Sequence, residues 1–276
     1  MRIVRAVGAG IVGLGLLAGC ALEHPPIAPG RPSASSTVAA PLPSVPATSA
    51  SPVAEETTAS APGSTPPVPK EKPRAVNCAK EKCVALTFDD GPGPYTRALL
   101  TRLADATAPA TFFVVGERVA AYPGVAKAIA TAGHEIDVHT WDHRDLTTLT
   151  RAQIDHQLRA SVRVIRRDAG VDPRYLRPSY GAMNAKVHAA ARHAGLALAL
   201  WSVDTLDWRT HNVRRTVAVA VRQATRGSII LLHDIHATSV RAVRPIIDRL
   251  RTKGFTFVTV STLLGKTKPG TKYFHG

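Results

Sequence analysis

The chain has 276 residues, which is long enough for one large domain or two small ones. Hydrophobic residues make up 45% and charged residues 20%, as in an ordinary globular protein. Three cysteines are too few for a scaffold built from disulfides, so the fold must depend on a hydrophobic core. The formal net charge of +15 at pH 7 favours a polyanionic partner: nucleic acid, anionic lipid or an anionic wall polymer.

Residues 1–20 have the pattern of an export signal. Arg2 and Arg5 precede an uncharged apolar run at 6–18, which is shorter than the roughly 20 residues of a membrane-spanning helix. The run leads into LAGC at 17–20, and this segment resembles a bacterial lipoprotein signal. That resemblance implies cleavage before Cys20 and a lipid on its sulfur. We therefore expect an exported protein, anchored to the outer face of the cell membrane and facing the cell wall. Ordinary signal cleavage, with Cys20 incidental, is the alternative.

Residues 21–76 are dominated by Pro, Ser, Thr and Ala, and this composition predicts a disordered linker. The linker is electrically neutral, with four positive and four negative charges, and a basic tail occupies 265–276. Most of the positive charge therefore belongs to a folded domain at 77–264. For an exported protein we expect no nucleic-acid partner, whereas an anionic wall polymer fits. A solvated basic surface without a specific role is the alternative.

Within 77–264, short apolar runs alternate with segments of helical periodicity. The predicted strands are 84–88, 111–115, 135–138, 175–176, 197–203, 228–232 and 256–260. The predicted helices are 95–106, 118–132, 151–168, 185–194, 213–225 and 240–252. This alternation predicts an α/β fold with parallel strands, either a barrel or a doubly wound sheet.

Cys78 and Cys83 lie just before the first predicted strand. In an exported protein we expect a disulfide between them. A metal site is the alternative, but it would need two further ligands nearby, and the sequence offers none.

Polar residues cluster directly after five of the predicted strands, where parallel α/β folds build their active sites. The clusters occupy 89–92, 139–143, 177–181, 204–208 and 233–236. His139 and His143 are spaced to share one face if a helical turn follows their strand, and Asp89 or Asp90 could complete a three-ligand metal site. DDGP at 89–92 also has a structural explanation, because this sequence is a turn signal.

Hydrolysis needs further groups besides a metal site. A carboxylate next to a metal-activated water can accept its proton, and either member of the Asp89–Asp90 pair could supply it. His233 is a candidate acid because the ordinary pKa of histidine lies near neutral pH. A neighbouring aspartate such as Asp207 could keep it protonated and oriented.

Together these segments resemble the polysaccharide deacetylases, the NodB-like carbohydrate esterases. TFDDGP at 87–92 and HTWDH at 139–143 match the first two family motifs. By that match Asp89 is the base, and the metal ligands are Asp90, His139 and His143. The resemblance also implies a distorted (β/α) barrel, here of about seven parallel strands. It implies a divalent cofactor, zinc or else cobalt or another ion.

The remaining motifs assign the other site residues. RPSYG at 177–181 implies that Arg177 orients the base and that the Tyr180 backbone amide binds the oxyanion; Ser179 stands where the family more often has proline. The fourth motif makes Asp207 a tuning residue and Trp208 a wall of the site, with Asp204 as the alternative aspartate. LLH at 231–233 makes His233 the acid and places Leu231 in the acetyl pocket.

The implied reaction is hydrolysis of N-acetyl groups on a polysaccharide. Peptidoglycan N-acetylglucosamine is the favoured substrate, with chitooligosaccharide or acetylated xylan as alternatives, and we expect a monomer. Two other classes compete. A non-catalytic glycan-binding module would lack a base, ligand or acid, and a non-haem iron oxygenase would not need Asp89 beside Asp90 together with His233.

Overall fold

A computed structural model describes residues 76–122 and 124–276. The predicted signal peptide, Cys20 and the linker up to residue 75 lie outside the described residues. Within the two described ranges, no helix is both long enough and apolar enough to cross a lipid bilayer.

The described residues form a curled sheet of nine parallel strands with helices packed against it. The strands are β1 (Cys83–Asp89), β2 (Thr111–Val114), β3 (Glu135–Val138), β4 (Tyr175–Leu176), β5 (Ala197–Ala199), β6 (Val203–Asp204), β7 (Ile229–His233), β8 (Thr256–Phe257) and β9 (Lys272–Tyr273). Their order is β6-β7-β1-β2-β3-β4-β5-β9, and β8 pairs with the start of β1. The predicted distorted (β/α) barrel is confirmed, with two strands more than expected.

Nine α-helices connect or flank the described strands. They are α1 (Thr96–Asp105), α2 (Gly116–Ala121), α3 (Val125–Thr131), α4 (Arg151–Ala169), α5 (Ala185–His193), α6 (Asp207–Thr210), α7 (Val213–Gln223), α8 (Ala237–Thr252) and α9 (Val260–Leu264). The longest, α4, shows how the sequence sets the ends. Thr150 and Gln153 form a reciprocal capping box at its start, and Gly170 ends it in the left-handed conformation.

Strand β1 lies in the middle of the sheet, and all seven of its residues are buried. Alternate side chains point to opposite faces of a strand. Leu86 and Phe88 belong to the larger apolar cluster, which includes side chains of α1, α4 and α8, whereas Ala85 packs in the smaller cluster. Thr87 and Asp89 continue the alternation on the side of Ala85. Because of this alternation, the carboxylate of Asp89 lies on the same side of the sheet as Ala85, at the end of a buried strand.

Two predicted elements are each broken into two. The predicted strand 197–203 is interrupted at residues 200–202. The carbonyls of Ala199 and Leu200 accept hydrogen bonds from the Arg177 guanidinium, which takes acceptors that a continuous strand would use. The predicted helix 118–132 is two helices, because Gly124 has a φ of 76° that α-helical backbone does not allow.

The end of the chain also differs from expectation. The predicted strand 256–260 stops at Phe257, and Thr259 caps α9 by accepting a hydrogen bond from the Thr262 N–H. Strand β9 was not predicted and pairs with β5. The backbone N–H of Gly276 donates to the carbonyl of Gly227 at 2.9 Å. A domain boundary after Leu264 therefore divides residues that share one sheet.

The segment before β1 is attached to the sheet by a disulfide between Cys78 and Cys83, with the two Cα atoms 5.4 Å apart. The Arg226 guanidinium donates to the carbonyl of Cys78 at 2.8 Å. The bridge agrees with the disulfide interpretation of the two cysteines and leaves neither thiolate free for a metal.

Candidate active site

The carboxyl ends of four strands bring the predicted site together. In the pairing of β1 with β7, Asp89 is the partner of His233. In the pairing of β3 with β4, Val138 is the partner of Leu176, so His139 and Arg177 emerge next to each other. Parallel pairing therefore converts four distant stretches of sequence into one cluster at one edge of the sheet.

A cavity of about 380 Å³ opens over this edge. Its wall consists of Asp89, Asp90, His139, His143, Tyr180, Trp201, Asp204, Trp208, Leu231 and His233. Two predicted site residues, Arg177 and Asp207, do not line the cavity and lie behind its wall. Trp201 lines it and was not predicted.

Arg177 is fully buried and holds Asp89 in place. Its Nη1 donates to Asp89 Oδ1 at 2.7 Å and to the Thr87 hydroxyl at 2.8 Å. Its Nε and Nη2 donate to the carbonyls of Ala199 and Leu200 at 2.9 and 2.8 Å. Burial lowers the pKa of Arg177, although the Asp89 carboxylate opposes this effect. One oxygen of Asp89 is thereby fixed, and the other, Oδ2, lies 3.8 Å from His139 Nε2 at the cavity wall.

Asp90, His139 and His143 form a potential metal site, since one donor atom from each lies within 4.8 Å of the others. Asp90 Oδ1 is 3.3 Å from His139 Nε2 and 3.2 Å from His143 Nε2. Donors that bind zinc tetrahedrally at ~2.1 Å lie roughly 3.4 Å apart, so the spacing fits one ion between them.

The hydrogen bonds around these residues also fit a metal. Asp90 Oδ1 is buried without a hydrogen-bond partner. The Nδ1–H of His139 donates to the carbonyl of Arg177 at 2.7 Å, which leaves the Nε2 lone pair directed at the site. Burial alone would raise the pKa of Asp90, but the imidazoles of His139 and His143 outweigh burial and hold this pKa well below its usual range. The residues present therefore suit a divalent cation.

The two imidazoles converge for a different reason from the one expected. No helical turn follows β3 directly, and residues 139–145 form a loop. The loop reverses because Thr140 and His143 have φ values of 64° and 61°. The His139 and His143 ring centroids end 5.0 Å apart. Asp90 and Tyr180 also have positive φ, and such strained non-glycine residues concentrate at functional sites.

His233 is paired with Asp207. Its Nδ1–H donates to Asp207 Oδ1 at 2.9 Å, and its backbone N–H donates to Oδ2 at 2.8 Å. Burial lowers the pKa of His233, but the hydrogen bond and charge of Asp207 outweigh it and raise the pKa to about 9. Asp204 makes a different contact, since its Oδ1 accepts from the Leu206 N–H at 2.8 Å. Of the two aspartates, Asp207 is therefore the one whose contacts raise the pKa of His233.

Ser179 is buried and connects two loops of the site. Its hydroxyl lies 3.1 Å from that of Thr140, which accepts a hydrogen bond from the His143 N–H at 3.0 Å. The departure from the proline usual at this position therefore adds a polar contact behind the groove, and Ser179 itself does not line the cavity.

Sequence reasoning missed Asp234, which supports the Asp89–Asp90 turn from behind. Its buried carboxylate accepts a hydrogen bond from the Thr96 hydroxyl, and that hydroxyl accepts from the Gly93 N–H at 2.8 Å. A Cβ on Gly91 would collide with the same carboxylate. The available signal was its position directly after His233, but Asp234 is fully buried and does not line the cavity.

Three potential metal ligands, an arginine-held carboxylate and a histidine paired with an aspartate lie around one cavity, and these are the groups that a metal-dependent hydrolase uses. The family model described as polysaccharide deacetylase matches residues 76–199. The solved structure of T48 deacetylase with substrate is 47% identical, with a TM-score of 0.70, and the match covers 72% of this chain and 100% of that one. The chain belongs to the polysaccharide deacetylase family, as the motifs predicted.

Two curated relatives act on bacterial walls. PgdA of Listeria monocytogenes, a peptidoglycan-N-acetylglucosamine deacetylase, is 36% identical over 211 residues, covering 76% of this chain and 43% of PgdA. PdaC of Bacillus subtilis, a peptidoglycan-N-acetylmuramic acid deacetylase, is 37% identical over 197 residues, covering 71% of this chain and 41% of PdaC. The chain thus matches less than half the length of either relative.

Proposed function

We propose that this protein is a metal-dependent hydrolase that removes N-acetyl groups from peptidoglycan, with N-acetylglucosamine as the reacting sugar. The observation that carries the proposal is the convergence of three sets of side chains on one cavity: Asp90 with two imidazoles, Asp89 with Arg177, and His233 with Asp207. The wall-acting relatives support the choice of polymer.

Asp90, His139 and His143 would hold the divalent ion. Two imidazole nitrogens and one carboxylate, with open positions for water and substrate, favour zinc, and cobalt is the alternative. When bound, the ion would lower the pKa of a coordinated water and polarise the acetyl carbonyl.

Asp89 acts as the base, because its cavity-facing oxygen can accept a proton from the attacking water while Arg177 holds the other oxygen. The water oxygen bonds to the acetamide carbon, and the Tyr180 backbone N–H donates to the oxyanion that forms. His233 then gives its proton to the sugar nitrogen as the carbon–nitrogen bond breaks. The products are acetate and a free sugar amine.

Apolar and aromatic side chains complete the site. Leu231 is buried in the wall and is suited to contact the acetyl methyl group. Trp208 is 46% exposed and Tyr180 is 71% exposed, so both rings are available to sugar rings in the cavity.

We further propose that the protein acts as a monomer at the cell wall, lipid-anchored through Cys20 to the outer face of the membrane. In that position the basic domain can bind anionic polymers of the wall. Chitooligosaccharides and acetylated xylan remain the alternative substrates. The rival glycan-binding module has less support, because the described residues retain a base, an acid and three metal ligands.

Acetate release tests the proposal. The chain is stripped of metal, reloaded with zinc or cobalt, and given peptidoglycan, chitin oligomers or acetylated xylan. Metal-restored release from peptidoglycan is expected. Release of acetate from xylan alone would show that the protein is an esterase and not an N-deacetylase. No release of acetate by a folded, metal-loaded protein would favour the binding module.

Asp89→Asn separates catalysis from metal binding. The amide cannot accept the proton, so we expect kcat to fall by about 10²- to 10⁴-fold while zinc binding is kept. A zinc titration provides the control, and undiminished kcat would exclude Asp89 as the base.

A further inference from the structure

A second cavity, of about 290 Å³, lies next to the first. Asp90 and His143 line both cavities, so the two spaces meet at the metal-ligand residues. When one sugar of a polysaccharide chain occupies the first cavity, the neighbouring sugars extend beyond it. The second cavity can hold one of these neighbouring sugars. Its lining also includes Glu117 and Arg118 of α2 and Asp142 of the loop after β3.

The charges of this cavity are not equally available. Asp142 is already neutralised, since its carboxylate is 2.9 Å from the Arg144 Nε and accepts a hydrogen bond from the Gln157 amide at 2.8 Å. Arg118 is exposed, and within residues 76–122 and 124–276 no side-chain hydrogen bond or ion pair engages it. No other lysine or arginine among the described residues lines this cavity.

Glu117 does not cancel Arg118. Successive residues on a helix do not face each other, so the two side chains present their charges at different places. Glu117 also lies in the first turn of α2, where a carboxylate complements the helix dipole. No carboxylate of the described residues forms an ion pair with Arg118. A free arginine fork in a cavity next to the metal ligands suits a carboxylate of the substrate.

We propose that Arg118 binds a carboxylate carried by the sugar adjacent to the one that is deacetylated. This inference rests on the proposed function. In peptidoglycan every second sugar carries a lactyl group at O3, whose carboxyl is either free or linked to a stem peptide with carboxylates of its own. Chitin has neither. Arg118 thereby selects peptidoglycan over uncharged N-acetylglucosamine polymers, although both present the same acetyl group to the catalytic residues.

The test compares three tetrasaccharides with the zinc-loaded full chain. Chitotetraose is uncharged, an alternating N-acetylglucosamine–N-acetylmuramic acid tetrasaccharide has free lactyl carboxylates, and its counterpart bears stem peptides. The variant is Arg118→Gln. The matched control is Arg249→Gln, an exposed arginine near the far end of α8 that lines neither cavity.

In Arg118→Gln we expect kcat/KM for a carboxylate-bearing substrate to fall about fivefold relative to chitotetraose, through KM, as for a partly exposed ion pair. Arg249→Gln should leave this ratio unchanged. Loss for the stem-free substrate alone identifies the lactyl carboxylate, and loss for the stem-bearing substrate alone identifies the peptide. Equal loss for all three substrates would overturn the inference.

Calorimetric measurement of binding, with the stem-free and the stem-bearing tetrasaccharides, distinguishes failure of the inference from failure of the proposed function. If the wild-type protein hydrolyses none of the substrates, the proposed function fails. The inference is then decided by affinity: weaker binding of either tetrasaccharide by Arg118→Gln than by Arg249→Gln supports it, and equal binding of both tetrasaccharides by the two variants refutes it.

Discussion

A buried guanidinium needs both a counter-ion and hydrogen-bond acceptors, and Arg177 obtains both from residues that shape the site. Its four hydrogen bonds connect β1 to the interrupted end of β5. The same residue thus orients the proposed base and satisfies carbonyls that would otherwise lack a partner strand. Arg177 therefore contributes both to the orientation of Asp89 and to the stability of the fold, and a substitution should affect both.

Arg177→Lys tests that coupling. A lysine ammonium keeps the charge but cannot reproduce the planar set of donors. We expect a loss of about 3 kcal/mol in the free energy of unfolding, because a buried pair is disrupted. We also expect a fall in kcat of about 10²-fold, because Asp89 is no longer held. Urea denaturation and acetate release measure the two effects. Arg174→Lys, an exposed substitution, is the control, and a variant with unchanged kcat would contradict the positioning role.

The His233–Asp207 pair makes a prediction about pH. Because the pKa of His233 is raised to about 9, the protonated acid is present below that pH and is lost as pH rises through it. In Asp207→Asn the charge is gone and burial lowers the pKa, so the alkaline limb of kcat/KM should move at least about one unit towards neutral pH. A pH profile measures this shift. An alkaline limb that stays in place would show that another group sets it.

At the scale of elements, the strands were predictable and the loops were not. Buried strands such as β1 have a hydrophobic sequence pattern that a single sequence reveals, and Asp89 and His233 were found because they stand where this pattern ends. The left-handed residues Thr140 and His143 carry no such signal. Thr140 contacts Ser179 in the loop after β4, which is distant in sequence, so the surroundings of this turn are not contained in a local pattern.

Trp201 illustrates a second limit. It lies in the break between β5 and β6, and that break depends on a guanidinium more than 20 residues earlier in the chain. A pattern read along one segment predicts a continuous strand there, as the apolar sequence favours. Only the folded arrangement brings the Trp201 ring to the cavity.

Ser179→Ala tests the contact between the two loops. Loss of the buried hydroxyl removes one of the two hydrogen-bonding contacts of the Thr140 hydroxyl, which should cost about 1 kcal/mol in unfolding free energy. Because Thr140 also holds the His143 N–H, zinc affinity should fall by about tenfold, as for other residues that support ligands.

The matched control is Ser261→Ala. The Ser261 hydroxyl donates a hydrogen bond to Glu135, which lies at the opposite end of β3 from His139. That variant should lose stability but keep its zinc affinity. A competition titration with a chelator measures affinity, and equal zinc affinity in Ser179→Ala and the wild type would refute the supporting role.

At the scale of the whole molecule, the basic C-terminal segment contributes both positive charge and a strand of the sheet. Lys266, Lys268 and Lys272 provide its charge, while β9 gives β5 a hydrogen-bonded neighbour at the edge of the sheet. These two contributions can be separated. If the strand is what matters, removal of residues 265–276 exposes the edge of β5 and the loop at Gly227, where Gly276 is bonded.

We expect the truncated chain to lose about 2–4 kcal/mol of unfolding free energy, from several backbone hydrogen bonds and the packing of Tyr273 against the smaller apolar cluster. The matched variant replaces Lys266, Lys268 and Lys272 with glutamine and keeps the strand. It should unfold at the same urea concentration as the wild type, because the hydrogen bonds between β9 and β5 are made by the backbone. If the glutamine variant loses as much stability as the truncation, charge and not strand pairing is the contribution of this segment.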